Sequence, residues 1–495
     1  MTRSGKIVAI ALGSIAVLAA GWTGAGMYAG RVAADQMRTF ASGTPMGPGV
    51  TIAAARHETG LFESGGRFEV RFDEHCDPSP ADGANFALQV EYRLSHRPLP
   101  GSMMRFEWTM TPAGEAGAML SKVTDGALRL EGQGTVSYAR ALASTLAMPE
   151  IVLGSGAQAL RISPGNGRFT LAGGALGLQW KTDRIAGRGA GKALEVTTLG
   201  IDADLQDAAR GTGSMTLSVE RVGTGFGTVE GFRLVSAAVA RGDRTDVTIN
   251  PSLRSLTAPG QKASDLSMEV SVRDMHTASL ETIQRISRES CSFRLLKPEE
   301  ARQLRVAVRT LLTSGLALGV DSIRGTIGEG SLEGFLKVEL KKAAPAPAPA
   351  AVAEADAVAV DLSRLLSSRG EIMLKGNAVT AQQREMAVGM GIASAQPGGL
   401  KAAFDYADGI LKVNGRVFDA GPLQVALSAA DRRLNTFLGV ALPVERAPAG
   451  ALQPAEPAPM ADEAPPPAAP PNVSPGMAPN VLPNVLPAAP PASLR

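Results

Sequence analysis

The chain is short of the residues from which most enzymatic and nucleic-acid sites are built. Only two of its 495 residues are cysteines and only four are histidines. Cys76 and Cys291 alone cannot supply a tetrahedral thiolate metal site. Aromatic residues make up 4%, which argues against platforms on which bases or sugars stack. Lys and Arg number 49 against 47 Asp and Glu, for a net charge of +2. That balance argues against the basic surface a nucleic acid requires. No G-x-S-x-G, H-E-x-x-H or EF-hand pattern occurs.

Hydrophobic residues, by contrast, reach 44%, enough for a large core. The first notable run is Ile7 to Gly30, which holds no charged residue. About 24 residues at ~1.5 Å each span a bilayer's ~30 Å hydrocarbon core. Arg3 and Lys6 precede it and Trp22 and Tyr28 fall near its far end. The positive-inside rule then places residues 1–6 in the cytoplasm and the rest of the chain outside it. The run is too long for a cleaved signal peptide and lacks a clean small-residue site, so an uncleaved anchor is expected. Its glycines, including Gly26 and Gly30, are ordinary for a membrane helix, though they also permit helix pairing.

Beyond a break at Ser42–Gly49 the text alternates. Arg67–Phe72, Ala87–Leu94, Met104–Met110 and Leu128–Glu131 place apolar and polar residues in turn, as strands with one wet face do. Phe169–Gly174, Leu176–Thr182, Leu194–Gln206, Ser214–Val222, Arg233–Asp243, Asp246–Leu253 and Leu266–Asp274 continue the pattern. No helical period is regularly interleaved, so an antiparallel meander is predicted rather than βαβ units. A sheet of so many strands must curl, close or fold over. Residues 276–315 interrupt it with two predicted helices, the second opened by Pro298 with Glu299 and Glu300 at its positive end. Strands resume over Ser322–Leu340. An Ala/Pro linker covers 343–360. A C-terminal segment, 361–446, holds the strand Gly370–Gly376, a helix near 381–390 and a hairpin turning at Asp408-Gly409. The Pro/Ala-rich tail, 447–495, is expected to be unstructured; extended, it reaches on the order of 140 Å. The predicted fold is therefore mainly β (α+β): a transmembrane helix at 7–30, then a β-rich body at 31–342 of large curved antiparallel sheet with a helical-pair insertion.

Candidate chemistry is thin. His75-Cys76-Asp77 sits among Asp73, Glu74, Pro78 and Pro80, a loop whose spacing fits no standard metal site. Outside the cytoplasm Cys76 and Cys291 can form a disulfide, closing roughly 215 residues for about 5 kcal/mol in the chain-entropy account; two separate buried thiols is the alternative. Gly187–Ala193 departs from a phosphate loop at Ala186 and Ala193, and Gly223–Gly227 lacks dinucleotide spacing; both read as turns. No catalytic residue, cofactor or metal is expected.

Several segments, in order, resemble the YdgA-like family of bacterial inner-membrane proteins of unknown function. They are Gly21-Trp22-Thr23-Gly24 with Tyr28-Ala29-Gly30, then His57-Glu58-Thr59-Gly60-Leu61-Phe62-Glu63-Ser64, then Ser95-His96-Arg97-Pro98-Leu99-Pro100, and finally Phe404 to Arg416. Glu63 stands where that family has Ser, with Ser64 one place later, and Arg97 replaces a Gly. The resemblance singles out Gly60, Phe62, His96 and Pro98, and implies an envelope location and self-association without a known chemistry. His96 is expected to cap the turn after its strand. Two functions fit these features: an inner-membrane-anchored periplasmic scaffold for an envelope partner, or a lipid-binding or lipid-transfer protein using the apolar face of a curved sheet. The second requires an inner face that is apolar and left without a packing partner; the alternative is that the helical pair at 276–315 covers that face.

Overall fold

The computed structural model describes residues 50–60, 62–72, 86–96, 101–124, 126, 128–154, 156, 159–189, 192–289, 296–342 and 359–440. The anchor at 7–30, His75, Cys76, Cys291, Pro98, most of the linker and the tail lie outside them. The chain divides into Met1–Leu442 and Pro443–Arg495, and all described residues belong to the first.

Alternating apolar and polar residues form a first group of strands: β1 (Val50–Thr59), β2 (Glu63–Phe72), β3 (Phe86–Ser95), β4 (Met104–Ala113), β5 (Leu130–Val136) and β6 (Leu142–Met148). The short strands β7 (Ile151–Leu153) and β8 (Leu160–Ile162) follow. A long meander comes next: β9 (Gly165–Ala172), β10 (Ala175–Gly189), β11 (Lys192–Asp207), β12 (Thr212–Thr224), β13 (Gly227–Arg241), β14 (Arg244–Ala258) and β15 (Gln261–His276). The remaining strands are β16 (Ala317–Ile327), β17 (Gly330–Leu340), β18 (Leu366–Lys375), β19 (Ser394–Gln396), β20 (Gly399–Ala407), β21 (Ile410–Val413) and β22 (Arg416–Phe418). All twenty-two belong to one antiparallel sheet. Apart from β7, β8 and β19 they pair in one linear ribbon, in which β6 pairs with β9 and β18 with β20. Strand twist of roughly 20° per neighbour coils such a ribbon rather than leaving it flat.

Turn chemistry holds the meander. Asp408 and Gly409 take φ of 51° and 81°, the type I′ geometry expected of Asp-Gly. Within the strands, Thr198, Gly231 and Asp265 also have positive φ. Along this line the side-chain alternation slips by one residue. Asp183 pairs with Lys181 and Arg184 with Glu195, so two sequence neighbours both lie on the charged face. Apolar residues on either side of the slip, such as Leu199 and Val196, therefore stay on one face.

The predicted helical pair is present as α2 (Thr277–Glu289) and α3 (Pro298–Thr313). Ser279 donates its backbone N–H to His276 Nδ1 at 3.3 Å, and Glu300 accepts from the Lys297 backbone at 3.2 Å. Ile286, Leu304 and Ala307 are buried. The pair packs on the strand ends, where Leu280, Leu311 and Leu312 meet Met275, Leu316 and Leu340. Three helices were not legible in the alternation: α1 (Gly114–Val123), the short α4 (Leu362–Leu365) and, after α5 (Ala381–Gly389), the long α6 (Gly421–Phe437). Asn435 on α6 accepts from the Val360 backbone N–H and donates to its carbonyl, both at 2.8 Å. The end of the expected linker is thus packed: Val360 is buried.

Candidate functional site

The sheet has two rims, a near rim where β1 begins and a far rim where β1 ends. Cross-strand pairing can be followed from β9 to β21 without β19, with local shifts in the β11–β12, β14–β15, β15–β16 and β16–β17 pairs, and it separates residue types sharply. One cross-strand row reads Phe169, Leu178, Ala203, Met215, Ser236 and Ile249, then Val270, Val320, Leu336, Gly370, Phe404 and Val413. A parallel row on the same face runs from Leu171 and Leu176 through Leu205, Gly213, Ala238, Val247 and Val272 to Leu318, Val338, Ser368, Tyr406 and Leu411. Neither contains a charge. The row between them faces the other way: Thr170, Gly177, Asp204, Ser214, Ala237, Thr248, Ser271, Gly319, Lys337, Arg369, Asp405 and Lys412.

The apolar face is uncovered in part. From β10 to β14 the only buried hydrophobic residue among those described is Ala203. Met215, Ile249, Leu336 and Phe404 are between 37% and 45% exposed. Close-packed clusters form around Leu94, Met104 and Phe106 and around Met275, Leu316 and Leu340, and the second covers Val247 and Val272 of the apolar face with Leu280, Leu311 and Leu312 of the helical pair. Twelve strands at ~4.8 Å spacing give the row from Phe169 to Val413, a strip about 7 Å wide, a footprint on the order of 400 Å². Monomers rarely expose an apolar patch beyond a few hundred Å². Over β15–β21 the strip deepens into a cavity of about 430 Å³, lined by Met268, Val320, Ile323, Leu336, Ile372 and Phe404 and flanked by Ile392 beyond α5. That volume is within the ~300–1,000 Å³ of small-molecule sites.

The residues singled out by the sequence motifs converge elsewhere, where β1, β2 and β3 meet. Gly60 donates its N–H to Glu63 O at 2.8 Å, and a Cβ there would lie 2.6 Å from that oxygen, so only glycine fits. The Phe62 carbonyl accepts from the His96 backbone N–H at 2.7 Å. Ser64 Oγ and His96 Nε2 share a 2.8 Å hydrogen bond, with both side chains buried. Ser64, one place later than the motif, is thus the residue that meets His96. The bond differs from the expected turn cap: it ties the β1–β2 turn to the end of β3. Beside it His57 Nδ1 and Tyr92 OH are 2.8 Å apart, with their rings stacked. A serine bonded to an imidazole resembles a nucleophile and its base. Here, however, His96 is fully buried and its Nδ1 has no hydrogen-bond partner among the described residues, so none of these orients the ring as a third group.

Burial pushes the His96 imidazole below its ordinary pKa, the nearby His57 charge acts the same way, and Glu63 opposes both. The folded protein therefore holds His96 neutral where the unfolded chain protonates it. This contribution to stability is complete above the unfolded value of 6.5 and is lost as pH falls from there through the lower folded value. Urea midpoints are expected to drop between about pH 7.5 and pH 5.5. A His96→Asn chain should show a shallower decline; an unchanged decline would assign it to other groups.

Among the described residues, no cluster of three or more His, Cys, Asp or Glu is placed to hold a metal ion. No described helix is long and apolar enough to cross a membrane. Residues 5–420 match a family described as "Bacterial protein of unknown function (DUF945)". No curated protein and no solved structure matches.

Proposed function

The chain belongs to this bacterial family of unknown function, and from that premise we propose that it is a membrane-tethered envelope protein that binds lipid acyl chains along the open face of its sheet. The observation that carries this reading is the uncharged row across twelve strands, from Phe169 to Val413, on which Met215, Ile249, Leu336 and Phe404 stay exposed. Aliphatic and small residues dominate both rows, and neither contains Arg. Protein-binding surfaces instead concentrate Trp, Tyr and Arg at their centres. That difference favours acyl chains over the partner of a scaffold. The opposite face carries Lys337, Arg369, Asp405 and Lys412 and stays in water.

The tether is the uncharged run Ile7–Gly30 behind Arg3 and Lys6, which favours an inner-membrane anchor with the body on the periplasmic side. The YdgA-like likeness of His57–Ser64 and Ser95–Pro100 agrees with that location.

The test is photolabelling. Full-length protein in mild detergent is exposed to a photoactivatable fatty acid and digested. Label is expected on peptides from β13 to β18 and on β20. Label confined to peptides containing residues 7–30 would sink the proposal.

A further inference from the structure

We infer that the near rim of the sheet docks on the bilayer and forms the mouth through which acyl chains reach the apolar face. The inference rests on the acyl-chain reading above. It starts from three separate connections that share this rim. One is α1, between β4 and β5, another the two-residue turn Gly225-Phe226 between β12 and β13, and the third the segment containing α5 between β18 and β20. Each exposes large apolar side chains: Met119 and Val123, Phe226, and Met386 and Met390 are between 52% and 67% exposed.

Phe226 is the clearest case. A two-residue hairpin tip calls for glycine or a polar residue, and a phenylalanine there projects from the sheet with its apolar surface in solvent. Met386 and Met390 are one helical turn apart and therefore share a face of α5. At the far rim the hairpin tips from β9 to β21 are Gly173-Gly174, Ala208 to Gly211, Gly242-Asp243 and Asp408-Gly409, with no large apolar residue among them; exposed apolar side chains on that rim include Tyr138 and, on the helical pair, Val306.

The occupant follows from the path of the chain. β1 begins at Val50 on the near rim, and the uncharged run ends only about 20 residues earlier, at Gly30. A chain anchored by that run is tethered to the membrane from the near rim. Exposed Phe and Met are residues that gain by entering the headgroup and acyl boundary. The same side of the fold holds Ile392, which follows α5 and flanks the mouth of the apolar cavity.

The test uses the full chain reconstituted in phosphatidylcholine vesicles whose acyl chains are dibrominated. Phe226→Trp and Met386→Trp are each compared with the parent, in which Trp22, Trp108 and Trp180 set the baseline. Tyr138→Trp, exposed in the far-rim turn between β5 and β6, serves as control. Bromine quenching above baseline is expected for the two near-rim variants and not for the control. Equal quenching at Phe226→Trp and Tyr138→Trp overturns the inference. Phe226→Asp combined with Met386→Asp is further expected to slow lipid loading from vesicles about tenfold while leaving photolabelling in detergent unchanged. Quenching without any photolabelling of the parent would instead remove the acyl-chain reading and leave the rim as a docking surface alone.

Discussion

A chain carrying Leu336→Asp together with Phe404→Asp is expected to retain less than about a tenth of the lipid that co-purifies with the parent. The two residues sit two strands apart on the uncharged row, with Gly370 between them, and both line the cavity. A carboxylate facing an acyl chain must either keep its water, which excludes the chain, or lose it at a cost of several kcal/mol. Each side chain is already 37% exposed, so the charged variants can keep their own hydration and fold. Circular dichroism and the thermal midpoint should change little. The control lies one residue away. Lys337 is on the opposite face, paired with Arg369 and Gly319, and Lys337→Asp should leave lipid content at the parental level. Lipid measured by mass spectrometry of organic extracts decides it: equal loss in the control would mean that the face assignment is wrong.

The second large effect concerns stability. His96→Ala is expected to cost about 3 kcal/mol, for two reasons that act together. Removing a fully buried ring leaves a cavity that its surroundings refill only in part. It also takes away the hydrogen-bond partner of the buried Ser64 hydroxyl, which leaves that group without compensation. Ser64→Ala should cost less, about 1–2 kcal/mol, since little volume is lost. Because the two side chains share one bond, the double variant should cost less than the sum of the singles. Urea unfolding at about pH 7.5 measures all three. A His96→Ala cost under about 0.5 kcal/mol, the range of an ordinary surface change, would show that this junction does not hold the β1–β3 end of the sheet. Neither substitution should alter acyl photolabelling of β13–β18, whose rows lie outside this junction.

Alternation alone located nearly every long strand from β2 to β15, because one wet and one apolar face write a period of two into the sequence. The helical pair at 276–315 was legible through Pro298 and the acidic first turn that follows it, and the last hairpin through Asp408-Gly409. The elements that escaped are those whose burial is not periodic. β1 passes through Ala53-Ala54-Ala55, where alternation vanishes, and its register with β2 shifts between Ala53 and Arg56. The apolar residues of α6 leave it largely exposed: Val425 and Phe437 face solvent, while polar side chains, Gln424, Asp431 and Asn435, bond it to the backbone of Gly409, Leu362 and Val360.

Local sequence therefore determined the strand content, the antiparallel order and the scarcity of chemistry, all of which depend on neighbours within a few residues. Only the tertiary structure decided which face of each strand aligns with which. The slip at Thr198, Gly231 and Asp265 keeps apolar residues together although their sequence parity changes there. It also decided that the helical pair packs on the strand ends. Nothing in the spacing of Leu280 or Leu311 shows where they land, since that depends on pairings between residues far apart in the chain. The same holds for Ser64 and His96, 32 residues apart: hydrogen-bonded register across β2 and β3 brings them together.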